Sequence, residues 1–210
     1  MPVIENTHGW YTDEEIAKCV PSPRMADGLR PNTPGWWDTL CEPGKYTGDG
    51  HNGYFAEVAA VMPDAGRWCD VGCGLGEFLG YMARAKPGLE GWGWDVTPVA
   101  VEHARKRLNT ERLAVGTLPD WIPWCGVRFD VVTVLEVIEH FPLSAARPVI
   151  EAAVSIAPLT ILTVPNGLDF ASGHFVWYDL ELFRSMLPPG YSVSGEIVPN
   201  QRHWMFTVTK

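Results

Sequence analysis

Residues 67–78 read R-W-C-D-V-G-C-G-L-G-E-F. A short apolar run ends at Asp70, and glycine then occupies every second position, at Gly72, Gly74 and Gly76. Because glycine permits positive φ and leaves no Cβ between the main chain and a ligand, this spacing predicts a strand, a tight turn and a helix. The stretch therefore predicts a site at which a ligand lies against bare backbone.

The residue that follows the third glycine indicates which ligand this is. A dinucleotide fingerprint would place glycine or alanine at position 77, whereas this chain has Glu77. A carboxylate at a helix N-terminus competes with a phosphate for the same donors. Asp70 and Glu77 beside the turn therefore favour a positively charged ligand, such as the sulfonium and ammonium groups of S-adenosylmethionine.

A second short apolar run, G-W-G-W-D-V at residues 91–96, ends in the acid Asp95. Asp95 lies 19 residues after Gly76. An acid at the end of the second strand, about 20 residues beyond the glycine turn, is placed to accept hydrogen bonds from both ribose hydroxyls. The alternative is an acid that only caps a turn. The register of the two motifs favours the ribose.

Composition sets the class of protein. With 210 residues, of which 46% are hydrophobic and 20% charged, the chain fits one globular domain with a full core. Its net charge of -9 disfavours nucleic acid, since phosphate backbones are bound by clustered Lys and Arg. The five cysteines form no C-x-x-C motif, and no apolar run approaches the ~18 residues that span a bilayer. We expect a cytoplasmic protein that binds a small molecule and no membrane.

From residue 54 onward, apolar runs alternate with helical patterns. The run at Phe129–Leu135 is apolar at nearly every position, as expected when helices cover both faces of a parallel sheet. From Tyr191, apolar residues recur at every second position in two segments separated by Pro199 and Asn200, which is typical of an antiparallel pair. Residues 54–210 are predicted to form an α/β domain with a doubly wound, mostly parallel seven-stranded sheet and a C-terminal antiparallel hairpin.

The glycine turn, Asp95 and this order of elements resemble the class I (Rossmann-like) S-adenosylmethionine-dependent methyltransferases, in particular the small-molecule type 11/12 group. The resemblance covers residues 54–210 and implies a methyltransferase that binds S-adenosylmethionine. It also implies a set of cofactor-binding residues. These are Asp70, Gly72, Cys73, Gly74 and Gly76 at the methionine part, Asp95 at the ribose, Val96, Thr117 and Leu118 at the adenine, and Leu135 and Glu136 beside them.

The run E-V-I-E-H, from Glu136 to His140, directly follows the fourth predicted strand. Ligands of open α/β sheets bind outside the carboxyl ends of the strands, so these residues are expected to border the transferred methyl group. Many small-molecule methyltransferases resemble this run without using it for a metal, which implies a loop that closes the cofactor pocket. In this interpretation no metal is bound, and the catalytic candidates are His140 as a base, Glu136 and His174.

A metal site is the alternative interpretation of the same run. Glu136, Glu139 and His140 stand at i, i+3 and i+4, on one face of a helical turn, and His174 follows the fifth strand. Two carboxylates and two imidazoles can hold Mg²⁺ or Mn²⁺ with positions left for substrate hydroxyls. With T-V-P-N at residues 163–166, the pattern is similar to the small-RNA 3′-end 2′-O-methyltransferases and implies metal-dependent O-methylation. The acidic charge counts against an RNA acceptor but not against the metal.

Residues 1–53 lie outside the resemblance. The stretch 21–53 holds eleven Pro and Gly residues and is predicted to form a long connecting loop, either an outer arm or a lid. We propose that the aromatic residues of the N-terminal segment cover the acceptor. These are Trp36, Trp37, Tyr46 and the adjoining Tyr54. The sequence as a whole predicts methyl transfer to oxygen or nitrogen of a small molecule. A non-catalytic adenosyl-binding module and an NAD oxidoreductase remain as alternatives.

Overall fold

A computed structural model of the chain describes Trp37 and residues 52–116, 118, 126–167, 173–199 and 202–210. Strands and helices alternate along it, with 3-10 turns at Asn52–Tyr54 and Ile138–His140. The elements are α1 Phe55–Val61, β1 Ala65–Val71, α2 Glu77–Ala85, β2 Gly88–Asp95, α3 Pro98–Leu108, β3 Leu113–Val115, β4 Val131–Leu135, α4 Leu143–Ile156, β5 Leu159–Pro165, α5 Leu180–Met186, β6 Ser192–Ile197 and β7 His203–Thr209.

The seven strands form one sheet in the order β3-β2-β1-β4-β5-β7-β6. The first five are parallel, whereas β7 runs antiparallel to both β5 and β6. The predicted fold class is therefore confirmed. From β1 the chain winds outward through β2 and β3, and it then returns to β4 on the other side of β1. Such a reversal opens a crevice at the carboxyl ends of β1 and β4, where ligands of this architecture bind.

Both faces of the sheet are buried. Val131 and Val132 are adjacent in β4 yet belong to two separate apolar clusters, because successive side chains of a strand point to opposite faces. One cluster contains Phe206 and the other contains Trp68, both with 1% exposure or less. This burial on both faces explains why β4 has no polar/apolar alternation. It also holds the carboxyl ends of β1 and β4 in place at the crevice.

Most of the N-terminal segment 1–53, including Trp36 and Tyr46, lies outside the described residues, as does Thr117. Trp37 has a helical backbone, which differs from the connecting loop predicted at that position. In the described part of the chain, no helix combines the length and the apolarity needed to cross a bilayer.

Candidate active site

The turn after β1 has the conformation that its glycines predicted. Gly72, Gly74 and Gly76 have φ angles of 72°, 51° and 75°, in the region that favours glycine. A Cβ added to Gly74 would meet no atom within 4 Å, so this glycine faces open space. Gly74 is therefore the position at which the backbone is bare for a ligand.

The other two glycines of the turn permit close packing. A Cβ at Gly72 would lie 2.5 Å from Cγ2 of Val137, in the run after β4. A Cβ at Gly76 would lie 2.9 Å from Cδ1 of Leu108, in α3. Gly72 thus brings the β1 turn against the turn after β4, and Gly76 brings the start of α2 against α3.

Asp95, at the end of β2, holds the turn in place. Its Oδ2 accepts a hydrogen bond from the Gly74 amide at 2.9 Å, and its Oδ1 accepts one from the Thr97 amide at the same distance. Asp95 therefore caps the turn, as the alternative interpretation held. A carboxylate offers about four acceptor positions, so one acid can both hold a turn and accept from a ribose hydroxyl.

Asp70 is a buried carboxylate, 3% exposed, beneath the glycine turn. Its Oδ1 accepts a hydrogen bond from the Thr133 hydroxyl at 2.6 Å. Burial raises the pKa of Asp70 to about 7; the bond from Thr133 opposes this rise, and the negative charges of Asp95 and Glu77 add to it. Glu77 itself lies 3.4 Å from Nη1 of Arg107. A cationic ligand beside Asp70 would favour its charged form.

The remaining predicted cofactor-binding residues are buried or half-buried. Cys73 is buried, and burial raises the pKa of its thiol well above the usual value, which favours a packing role. Leu118 is buried within one apolar cluster of the sheet. Val96, directly after β2, and Leu135, at the end of β4, are half-buried at the edge of the crevice.

Glu139 lies in the 3-10 turn after β4 and is 0% exposed. Neither of its carboxylate oxygens has a hydrogen-bond partner among the described residues. Burial raises the pKa of Glu139 well above its usual value, and the negative charge of Glu136 raises it further. A buried carboxylate without donors is costly unless a proton or a cation compensates it.

His140 presents one ring nitrogen to Glu139. Its Nδ1 lies 3.1 Å from the carbonyl oxygen of Gly173, and because a carbonyl only accepts, Nδ1 carries the proton in this hydrogen bond. Nε2 then lies 3.8 Å from Oε1 of Glu139. A backbone carbonyl bonded to one ring nitrogen is the usual arrangement around a metal-binding histidine, whose other nitrogen is the ligand.

His174 reaches the same place from the segment after β5. The amide of its neighbour Phe175 donates to the carbonyl of Glu139 at 2.7 Å, which ties this segment to the turn after β4. The ring centroids of His140 and His174 are 5.0 Å apart. One ligand atom from each of Glu139, His140 and His174 lies within 4.8 Å of the others, so three of the four residues of the metal interpretation come together.

Glu136, the fourth, lies beside this cluster and close to His203. Its backbone has φ 57°, which is uncommon for a residue other than glycine and is characteristic of functional sites. Its Oε2 lies 3.6 Å from Nε2 of His203, and burial raises the pKa of Glu136 to about 8. Sequence reasoning missed His203, because only the pairing of β7 with β5 brings it to the site.

Two of the four aromatic residues predicted to cover the acceptor are at the site. The ring of Trp37 lies edge-on to that of His140, with centroids 4.8 Å apart. The ring of Tyr54 lies 4.7 Å from that of His203, and Tyr54 is 2% exposed. An apolar wall thus adjoins the cluster of carboxylates and imidazoles.

Comparison with known proteins agrees with this geometry. Residues 69–157, which include the glycine turn, Asp95 and the E-V-I-E-H run, match the family model described as "Methyltransferase domain". No curated protein matches the chain in sequence.

Three solved structures illustrate the similarity in fold. The first, from the complex between the Haloferax volcanii Trm112 methyltransferase activator and the putative methyltransferase, has a TM-score of 0.67 and 18% identity, over 86% of this chain and 98% of that one. The second is magnesium protoporphyrin IX methyltransferase from Synechocystis PCC 6803 with bound SAH. Its TM-score is 0.62 and its sequence identity 20%, over 77% of this chain and 84% of that one. The third is the methyltransferase domain of bacterial CtHen1-C. Its TM-score is 0.59 and its sequence identity 22%, over 75% of this chain and 97% of that one.

The Synechocystis enzyme has also been solved with bound SAM, at a TM-score of 0.62 to this chain. The sheet order, the bare backbone at Gly74, the acid at Asp95 and the family match agree with one another. The chain therefore has the fold of the class I methyltransferases, and its residues 69–157 match a methyltransferase domain.

Proposed function

We propose that the protein transfers a methyl group from S-adenosylmethionine to a hydroxyl oxygen of a small molecule, at a site that also binds a divalent transition metal. The observation that carries this proposal is the Glu139 carboxylate, fully buried and without a hydrogen-bond donor among the described residues. A divalent cation held with His140 and His174 would compensate that charge.

The donor set indicates which metals fit. One carboxylate and two imidazoles suit Mn²⁺, Fe²⁺, Co²⁺ or Zn²⁺, whereas Mg²⁺ prefers oxygen ligands and water. Three protein ligands leave coordination positions for a substrate. We therefore expect Mn²⁺ to bind more tightly than Mg²⁺.

Each part of the site has a task in this reaction. A bound divalent metal would lower the pKa of an adjacent acceptor hydroxyl, which makes its oxygen a better nucleophile. Asp70 and Asp95 favour a cationic cofactor above the glycine turn, and the turn fixes its position relative to β4. The hydrogen bond from His140 to Gly173 orients the imidazole, and the Trp37 ring lies edge-on to it. Alignment of the reacting atoms and exclusion of water then supply much of the catalysis.

The charge of the site favours a small acceptor. The chain has a net charge of -9, and phosphate backbones are bound by clustered cations. Carboxylates border the crevice from three strand ends, at Asp70, Asp95, Glu136 and Glu139. A polyanion would oppose the ionisation of these carboxyl groups, whereas a neutral diol or phenol would not.

The test compares chelator-treated and Mn²⁺-loaded protein on neutral phenols, diols, amines and an RNA oligonucleotide. We expect turnover of a hydroxyl acceptor that is lost with chelator and restored by Mn²⁺. The variant Glu139→Gln should lose both Mn²⁺ binding and turnover, while the exposed Glu181→Gln in α5 is the matched control. Full activity after chelation would contradict the metal, and turnover of amines alone would contradict the oxygen acceptor. Cofactor binding without turnover on any acceptor would indicate the non-catalytic module.

A further inference from the structure

His203 is a buried histidine that the glycine turn and the metal cluster do not use. It is the first residue of β7 and pairs across the sheet with Pro165 of β5, and its carbonyl accepts from the Val198 amide at 3.0 Å. The backbone of His203 is therefore fixed on one side by β5 and on the other by the residue that follows β6. The hairpin therefore carries an imidazole to the carboxyl ends of β4 and β5, where the candidate active site lies.

The His203 ring is enclosed on two sides. Its Nε2 lies 3.6 Å from Oε2 of Glu136, and Tyr54 packs against it at a centroid distance of 4.7 Å. The side chains of His203 and Glu136 are only 11% and 12% exposed. Packing thus sets the position of the imidazole, and the Glu136 carboxylate is nearly as enclosed.

The location of Glu136 makes the direction of its side chain important. Its amide donates to the carbonyl of Thr163 at 3.0 Å, so the backbone is fixed between β4 and β5 while φ is 57°. The next residue, Val137, packs against the glycine turn, and Glu139 begins the metal cluster three residues later. Glu136 thus lies between the glycine turn and the metal cluster, with His203 beside its carboxylate.

We propose that His203 is a positioning residue, which holds the Glu136 carboxylate in a single orientation beside the methyl acceptor, with Tyr54 supporting the imidazole from behind. This proposal rests on the proposed methyl transfer but not on the metal. Loss of a residue that orients a functional carboxylate reduces turnover without removing the binding sites for metal or cofactor.

The experiment is a double-mutant cycle on the full chain. We would measure kcat, KM for the acceptor, Mn²⁺ affinity and S-adenosylhomocysteine affinity for His203→Phe, His203→Gln, Glu136→Gln and the double variant Glu136→Gln/His203→Phe. His103→Phe, on the exposed face of α3, is the matched control for an imidazole-to-phenyl change. Melting temperature reports whether each variant is folded.

We expect His203→Phe to lower kcat about 10- to 100-fold with little change in Mn²⁺ or S-adenosylhomocysteine affinity. His203→Gln, which retains a donor, should recover part of the loss. Because His203 acts through Glu136, the double variant should be no slower than Glu136→Gln alone. Losses that multiply in the double variant would overturn the proposal, as would a fall in kcat that only follows loss of folded protein.

The double-mutant cycle and the chelation test can fail independently of each other. If chelation and Glu139→Gln leave turnover intact, the metal is wrong, yet the coupling of His203 with Glu136 can still be measured. If chelation abolishes turnover but the two substitutions are independent, the metal stands and the positioning role of His203 is wrong.

Discussion

The amide of Gly74 donates to Oδ2 of Asp95 at 2.9 Å, which joins the turn after β1 to the end of β2. The residue expected to hold the ribose thus also fixes the backbone expected to cradle the methionine part of the cofactor. A ligand that engages both meets a surface whose two halves are already in register. Such preorganisation lowers the free-energy cost of binding.

The open space at Gly74 makes the Gly74→Val substitution a direct test of cofactor position. Overpacking costs about 1–3 kcal/mol, so we expect S-adenosylhomocysteine affinity to fall roughly 5- to 150-fold in calorimetric titration. Gly190→Val is the matched control, because Gly190 also has positive φ and open space around its Cβ but lies after α5. Both variants share the backbone strain, so an equal loss of affinity in both would contradict the assignment.

The pKa of Asp70 predicts pH-dependent cofactor binding. Its folded-state pKa of about 7 exceeds the usual 3.8 of an aspartate, so the folded protein holds an extra proton between these values and loses stability as pH rises across them. A sulfonium favours the charged carboxylate. Affinity for S-adenosylmethionine, relative to neutral-sulfur S-adenosylhomocysteine, should therefore rise as pH approaches 7 and level off above it. Titrations from pH 5.5 to 8.5 should show this rise in the wild type and a flat ratio in Asp70→Asn.

Metal binding should release protons. Burial raises the pKa of Glu139, whereas a metal binds the deprotonated carboxylate. Mn²⁺ affinity should rise with pH over the range in which Glu139 titrates, by up to about tenfold per pH unit for each proton released. Calorimetry at pH 7 in two buffers of different ionisation enthalpy would count these protons. An affinity that does not change from pH 6 to 8 would contradict a protonated Glu139.

The contact of Trp37 with His140 predicts a role in acceptor binding. Truncation in Trp37→Ala removes an aromatic edge worth about 0.5–1.5 kcal/mol, so KM for the acceptor should rise roughly 2- to 10-fold. Trp37→Phe should retain most of the wild-type value. Cofactor affinity, measured in parallel, should be the same in all three proteins. A KM unaffected by Trp37→Ala would remove this residue from the acceptor site.

Local patterns predicted the fold because its decisive features are local. The glycine spacing after β1 required positive φ, and all three glycines have it. The central strand β4 is a short apolar run covered on both faces, as its sequence indicated. Period two after Tyr191 predicted an antiparallel pair, but nothing local specifies that β7 inserts between β5 and β6.

The site was predictable only in part, for the same reason. Glu139 and His140 share a turn, so their proximity follows from spacing, and His174 was placed by resemblance. His203 could not be found this way, since its approach to Glu136 depends on long-range pairing of β5 with β7. The hydrogen bonds that Asp95 makes to its own turn are also invisible in the sequence, where an acid after a strand has several uses.

The insertion of β7 between β5 and β6 has a consequence for synthesis of the chain. As the polypeptide leaves the ribosome, β5 and β6 emerge before the strand that joins them, so the edge of β5 is exposed until residues 203–209 arrive. Exposed edges of this kind invite pairing with other chains. Because His203 belongs to the same strand, the nascent chain brings this imidazole beside Glu136 in the step that completes its sheet.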